Sequence, residues 1–153
     1  MSCTHVLLAR GRTHRPGVRT AHMALEPDLR NAAVVRRFVR ERLAGRAESL
    51  VDDASLLATE LVTNAIVHLE SPIVVGVADD DAEILVVVAD QRRDRVPLIG
   101  RMPSAEDVVE MSRGIALVCS IASDFGWHLL RDSPGKVVWF SLDVATGGPP
   151  TRA

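Results

Sequence analysis

Glu60-Leu-Val-Thr-Asn-Ala65 is the stretch from which this sequence is best read. It lies inside a helical pattern running from about Val51 to Leu69. Leu57, Ala58, Leu61, Val62, Ala65, Ile66 and Leu69 make one apolar arc of that helix, the mark of a face turned to a core. Asp52 and Asp53 favour the positive end of the helix dipole, and Ser71-Pro72 ends the element. Glu60 and Asn64 are four residues apart and share one edge of the arc. At a core's rim a carboxylate can hold or deprotonate a water or hydroxyl, and a carboxamide offers Mg²⁺ a neutral oxygen. The same spacing is common on exposed flanks, so spacing alone does not decide the chemistry.

Upstream, Ala24-Leu25 reads as a short entry strand ended by Pro27. Asp28 is a plausible N-cap for a helix from Leu29 to about Ala44, and Gly45 suits its C-cap. Ala32, Val35, Val39 and Leu43 give that helix an inner face, while Arg36, Arg37, Arg40 and Arg42 face outward. Downstream, Ile73–Ala78 and Ile84–Ala89 are β-branched runs around the turn Asp79-Asp80-Asp81, a hairpin pattern. Gln91 to Asp107 is long, charged and irregular, as functional lids often are. A third helix is predicted from Arg113 to Ala122, with Ile115, Leu117, Val118 and Ile121 for the core. Trp127–Leu130 and Val137–Val144 read as a closing strand pair. This order predicts an α+β two-layer sandwich: a mostly antiparallel mixed sheet with helices on one face.

Two further points on the chain carry chemistry. Asp90 ends an apolar strand and opens the long loop. A carboxylate there can accept a hydrogen bond from an exocyclic amine such as that of adenine, or can serve only the turn. Arg113-Gly114 opens a helix after the loop. A helix start with glycine attracts phosphate through unpaired N–H groups and the dipole, and it is also an ordinary helix start.

Composition bounds the rest. One domain fits 153 residues, and 47% hydrophobic with 25% charged residues is ordinary for a globular chain. A net charge of −2 gives no pull toward nucleic acid or anionic membrane. No apolar run approaches the roughly 20 residues of a membrane span. Cys3 and Cys119 are too few for a disulfide framework and read as reduced thiols, which points to a cytoplasmic setting. Residues 1–22 hold Arg10, Arg12, Arg15, Arg19 and three histidines with no acid. They read as a disordered basic extension, a start preceding the true one at Met23, a transit peptide or a phosphate-binding arm. The body is placed at 23–144, and 145–153 is a Gly/Pro-rich tail expected to be disordered.

In this order the motifs resemble a known family. Glu60–Ala65 is similar to the N box of GHKL (Bergerat-fold) ATPases, in the form found in actinobacterial anti-sigma regulatory factors. Asp90 falls where the first glycine-box aspartate stands, and Ser112-Arg-Gly-Ile-Ala-Leu-Val118 resembles the second glycine box. Trp127 follows at the family's spacing, and Gly135-Lys-Val-Val-Trp-Phe140 resembles its closing strand. The resemblance covers Ala24 to Val144. It implies ATP held with Mg²⁺ between helices and lid, and either serine phosphorylation of an antagonist protein or sequestration of a sigma factor, often by a homodimer. It assigns Glu60 as general base, Asn64 as the Mg²⁺ ligand and Asp90 as the adenine-amine acceptor. Arg113, Gly114 and Ile115 would lie by the phosphates.

The chain departs from that pattern in its loops. Met111 and Ser112 stand where the family usually has glycines, and Gln91-Arg92-Arg93 follows Asp90 in place of small residues. Val137 stands near the start of the closing strand, where a hydroxyl often assists adenine binding. Two readings follow. One is an anti-sigma serine kinase that binds nucleotide weakly. The other is a partner-binding module of the same fold without catalysis.

Overall fold

The computed structural model describes residues 17–68, 72–80, 82–91, 113–130 and 135–144. Strand β1 (Arg19–Leu25) leads to helices α1 (Asn31–Arg42) and α2 (Glu48–His68). Strands β2 (Ile73–Asp79) and β3 (Glu83–Asp90) follow, then α3 (Arg113–Ile121), β4 (Asp124–Leu129) and β5 (Lys136–Asp143). The five strands form one sheet in the order β1-β2-β3-β5-β4. All four pairings among the described residues are antiparallel, so the sheet is not mixed.

Alternation along the strands divides the sheet into two faces. Ile73, Val75 and Val77 of β2, Ile84, Val86 and Val88 of β3, and Val138, Phe140 and Leu142 of β5 face the helices. There they meet Val35, Phe38 and Val39 of α1, Leu57, Ala58, Leu61, Val62, Ala65 and Ile66 of α2, and Val118 of α3. This is the two-layer α+β sandwich predicted from the sequence. Strand residues of the opposite face, among them Leu85, Val87, Val137 and Trp139, form a second buried cluster to which no helix among the described residues contributes. Gly126 of β4 makes room there for the Trp139 indole: a Cβ at Gly126 would stand 2.8 Å from the ring.

Some boundaries differ from the sequence reading. The first strand begins at Arg19, not Ala24, and pairs with β2 along its whole length. Arg19 to His22 therefore belong to the sheet, where the sequence placed them in the basic extension. Two things hold them: the cross-strand ladder and an ion pair from Arg19 to Asp79 at 2.8 Å. Helix α1 proper starts at Asn31, after a tight turn in which the Asp28 carboxylate accepts from the Arg30 backbone N–H at 2.8 Å. Gly45 has φ +95°, a left-handed conformation open to glycine, in the link to α2. No helix among the described residues is long and apolar enough to cross a membrane.

Candidate functional site

Helix α2 carries the first pair of candidate residues. Leu57, Ala58, Leu61 and Val62 are buried against the sheet, and Glu60 and Asn64 are half-buried beside them. The helix thus holds a carboxylate and a carboxamide one turn apart at the border of the core, as the spacing predicted. Thr59 on the same helix is buried, and its hydroxyl donates to the Ser55 carbonyl at 2.7 Å. That bond uses its donor within the helix.

Asp90 ends β3 on the helix-facing side, in line with Ile84, Val86 and Val88. Its cross-strand neighbour is Lys136, the first residue of β5. The ammonium stands 2.9 Å from Asp90 Oδ2 and 3.1 Å from Oδ1. Both residues are about 95% buried, with 5% of Asp90 and 4% of Lys136 exposed. So Asp90 is a buried carboxylate at the layer boundary, neutralised from within the chain. Gly135 allows this geometry, because a Cβ there would stand 2.3 Å from the Asp90 backbone carbonyl oxygen.

Lys136 was missed by sequence reasoning. The signal was present, since it is the single lysine in a chain whose other basic side chains apart from histidine are arginines. The neighbouring Val137 enters the sequence reading only as lacking the hydroxyl that often stands there. Its side chain belongs to the opposite cluster, so it is no part of the site. One step of register decides which residue of a strand faces a site.

Arg113, Gly114 and Ile115 open α3 in the described backbone. Helix α3 packs on α2, with Val118 buried and Leu117 and Ile121 partly buried against the core. Met111, Ser112, Arg92, Arg93, Arg95 and Arg101 lie outside the described residues, as do residues 1–16, with Cys3, and residues 145–153. Cys119 is half-buried on α3 and in no disulfide.

The outer face of α1 divides in two. Arg36 and Arg37 are exposed. Arg40 is drawn inward to α2, donating to Asp52 at 2.7 Å and also to Glu48. These carboxylates hold the Arg40 guanidinium pKa above its usual value, chiefly through the hydrogen bond that Arg40 donates to Asp52. Arg40 therefore ties the two helices together and does not belong to a free surface.

With this geometry established, three comparisons bear on the chain. The model of the family described as histidine kinase-like ATPase domain matches residues 25–142. Among solved structures, the crystal structure of the RsbU and RsbW domains of Rv1364c from Mycobacterium tuberculosis is similar, with a TM-score of 0.57 at 22% identity. The match covers 85% of this chain and 33% of that one, so the chain spans about a third of that relative's length. That likeness concerns the fold. No curated protein matches the sequence.

Proposed function

Because the chain belongs to the histidine kinase-like ATPase domain family, we propose that it is a cytoplasmic, ATP-binding anti-sigma regulatory factor that phosphorylates a serine of an antagonist protein. The observation that carries this reading is the buried Asp90 carboxylate, held at the end of β3 on the helix-facing side. A buried carboxylate accepts hydrogen bonds strongly when desolvated, which suits it to the exocyclic amine of adenine.

ATP would supply the phosphoryl group, and Mg²⁺ would neutralise charge on its oxygens. The residues of the chain have separate tasks. Asp90 accepts from the base. The Asn64 carboxamide oxygen is a neutral ligand of the kind Mg²⁺ takes beside phosphate oxygens. The backbone N–H groups of Arg113, Gly114 and Ile115 lie at a helix start, where they attract phosphate. Glu60, one turn before Asn64, accepts the proton of the serine hydroxyl. The partners are the antagonist and a sigma factor, with a homodimer as the acting form. Calorimetry tests the reading directly: ATP with Mg²⁺ should bind, and Asp90→Asn should weaken it substantially.

One observation favours a second reading. Asp90 is already paired with Lys136, so a partner-binding module that holds no nucleotide would also retain this pair. Absence of binding at millimolar ATP would select that module.

A further inference from the structure

The helix-facing rows of β3 and β5 are apolar except at one end. Ile84, Val86 and Val88 precede Asp90, and Lys136 precedes Val138, Phe140 and Leu142. The two charged residues are cross-strand partners at the same level. A buried ion pair is a poor source of stability, because well-packed apolar residues of similar volume often do as well or better. Stability alone thus gives no reason to keep this one.

The pair has a chemical property that neither member has alone. It sets a hydrogen-bond acceptor and a donor side by side, Asp90 Oδ2 and Lys136 Nζ, 2.9 Å apart. A carboxylate has about four acceptor positions and an ammonium three donors, so each group can serve more than one partner at a time. Adenine offers the complementary order on one edge, with the 6-amino donor next to the ring N1 acceptor. On the nucleotide-binding reading above, we infer that Lys136 is a second base-contacting residue. Its ammonium donates to N1 while Asp90 accepts from the 6-amine. The lysine then does two jobs: it pairs with the buried Asp90 carboxylate, and it reads the neighbouring position of the base.

The test uses the full chain and base analogues, and needs no variant for its main result. Binding of three Mg²⁺ complexes is compared by calorimetry: ATP, purine riboside triphosphate (which lacks the 6-amine) and 1-deaza-ATP (which has C–H in place of N1). The inference expects each analogue to bind about tenfold or more weakly than ATP, the effect of one lost hydrogen bond to a charged group. In Lys136→Met, ATP and 1-deaza-ATP should bind equally. Should that variant fail to fold, the analogues on the parent chain still decide. Equal binding of ATP and 1-deaza-ATP by the parent, with loss only for the purine analogue, overturns the role of Lys136 and leaves Asp90 as the base reader. Tighter ATP binding by Lys136→Met also overturns it, since the ammonium would then be competing with the base. A parent that binds none of the three overturns the nucleotide-binding reading itself, and this inference with it.

Discussion

Arg46, in the link between α1 and α2, donates to the Asp79 carboxylate at 2.7 Å and to the Asp80 carbonyl at 3.0 Å. Asp79 ends β2 and is 2% exposed, and its other partner is Arg19 of β1. One buried carboxylate thus joins the sheet edge to the helix layer. The two arginines differ in weight: Arg19 is 67% exposed and Arg46 is 20% exposed. Arg46→Ala should cost about 1.5–3 kcal/mol in chemical denaturation, the range for hydrogen bonds to charged groups. Arg19→Ala should cost under about 1 kcal/mol, as solvent-screened pairs do. Equal losses would mean that Arg19 and Arg46 hold the carboxylate equally.

Gly135 tests the closeness of β3 and the start of β5. Its missing side chain leaves room for the Asp90 carbonyl, and backbone cannot yield as the tip of a side chain does. Gly135→Ala should destabilise the fold by about 1–3 kcal/mol, the range for overpacking. It should also weaken any nucleotide binding by disturbing the Asp90–Lys136 pair. A variant as stable as the parent would show that these strands separate easily.

The legible parts of this sequence were those in which pattern and burial coincide. The apolar arc of α2 and the unbroken runs of β2 and β3 have one interpretation each, because long apolar faces must be buried. The N-terminal half of β1 was hidden by composition. Ala21, Met23 and Leu25 alternate toward the core, but Arg19 and Thr20 before them and His22 among them read as a basic tail. An edge strand keeps polar residues on its solvent side, and among the described residues the Arg19 charge is answered by Asp79, sixty residues away. The site followed the same rule. Glu60 and Asn64 are neighbours through helical spacing, so sequence alone could pair them. Asp90 and Lys136 are neighbours through strand register, which no local pattern specifies. Phe38, a further core residue of α1, was also overlooked; beside it the Arg42 guanidinium lies 5.5 Å from the ring centre.

Asp28 gives a pH-dependent prediction. Hydrogen bonds from the Arg30 side chain and backbone lower its pKa from 3.8 to about 2. The folded value is below the unfolded one, so the contribution is present above the ordinary carboxylate range and lost as pH falls through about 2. Asp28→Ala should remove this part of the acid dependence, and its melting temperature should fall less than the parent's between pH 4 and pH 2. Parallel curves for the two proteins would show that this Asp28–Arg30 turn adds nothing.

The arginines of α1 should separate into two classes. Reversal of Arg36 and Arg37 to Glu leaves the packing alone and should weaken capture of an antagonist or sigma factor, most clearly at low salt. Reversal of Arg40 places a carboxylate against Asp52 and Glu48, and should lower the melting temperature even without a partner. If the Arg36/Arg37 double variant captures partners as the parent does at every salt concentration, this face is not the interface.

Glu60 and Leu61 are adjacent on α2, and their fates should be opposite. Leu61 is 3% exposed within the main core, while Glu60 is half-buried at its border. Leu61→Ala should leave a cavity and cost about 2–5 kcal/mol. Glu60→Gln keeps the shape and most hydrogen bonding but removes the basic oxygen. It should fold with a melting temperature close to the parent's and bind whatever nucleotide the parent binds. Phosphate transfer to a serine of the antagonist should fall by roughly 10²–10⁴-fold, the usual contribution of a general base. The two readouts are independent, so each failure has its own meaning. Unfolding of Glu60→Gln would make the residue structural and end its catalytic assignment. Undiminished transfer would move the base elsewhere while leaving the kinase reading intact. A parent that binds ATP yet transfers phosphate to no antagonist would leave Glu60 without a reaction to serve, and the chain's work would then lie in its protein contacts.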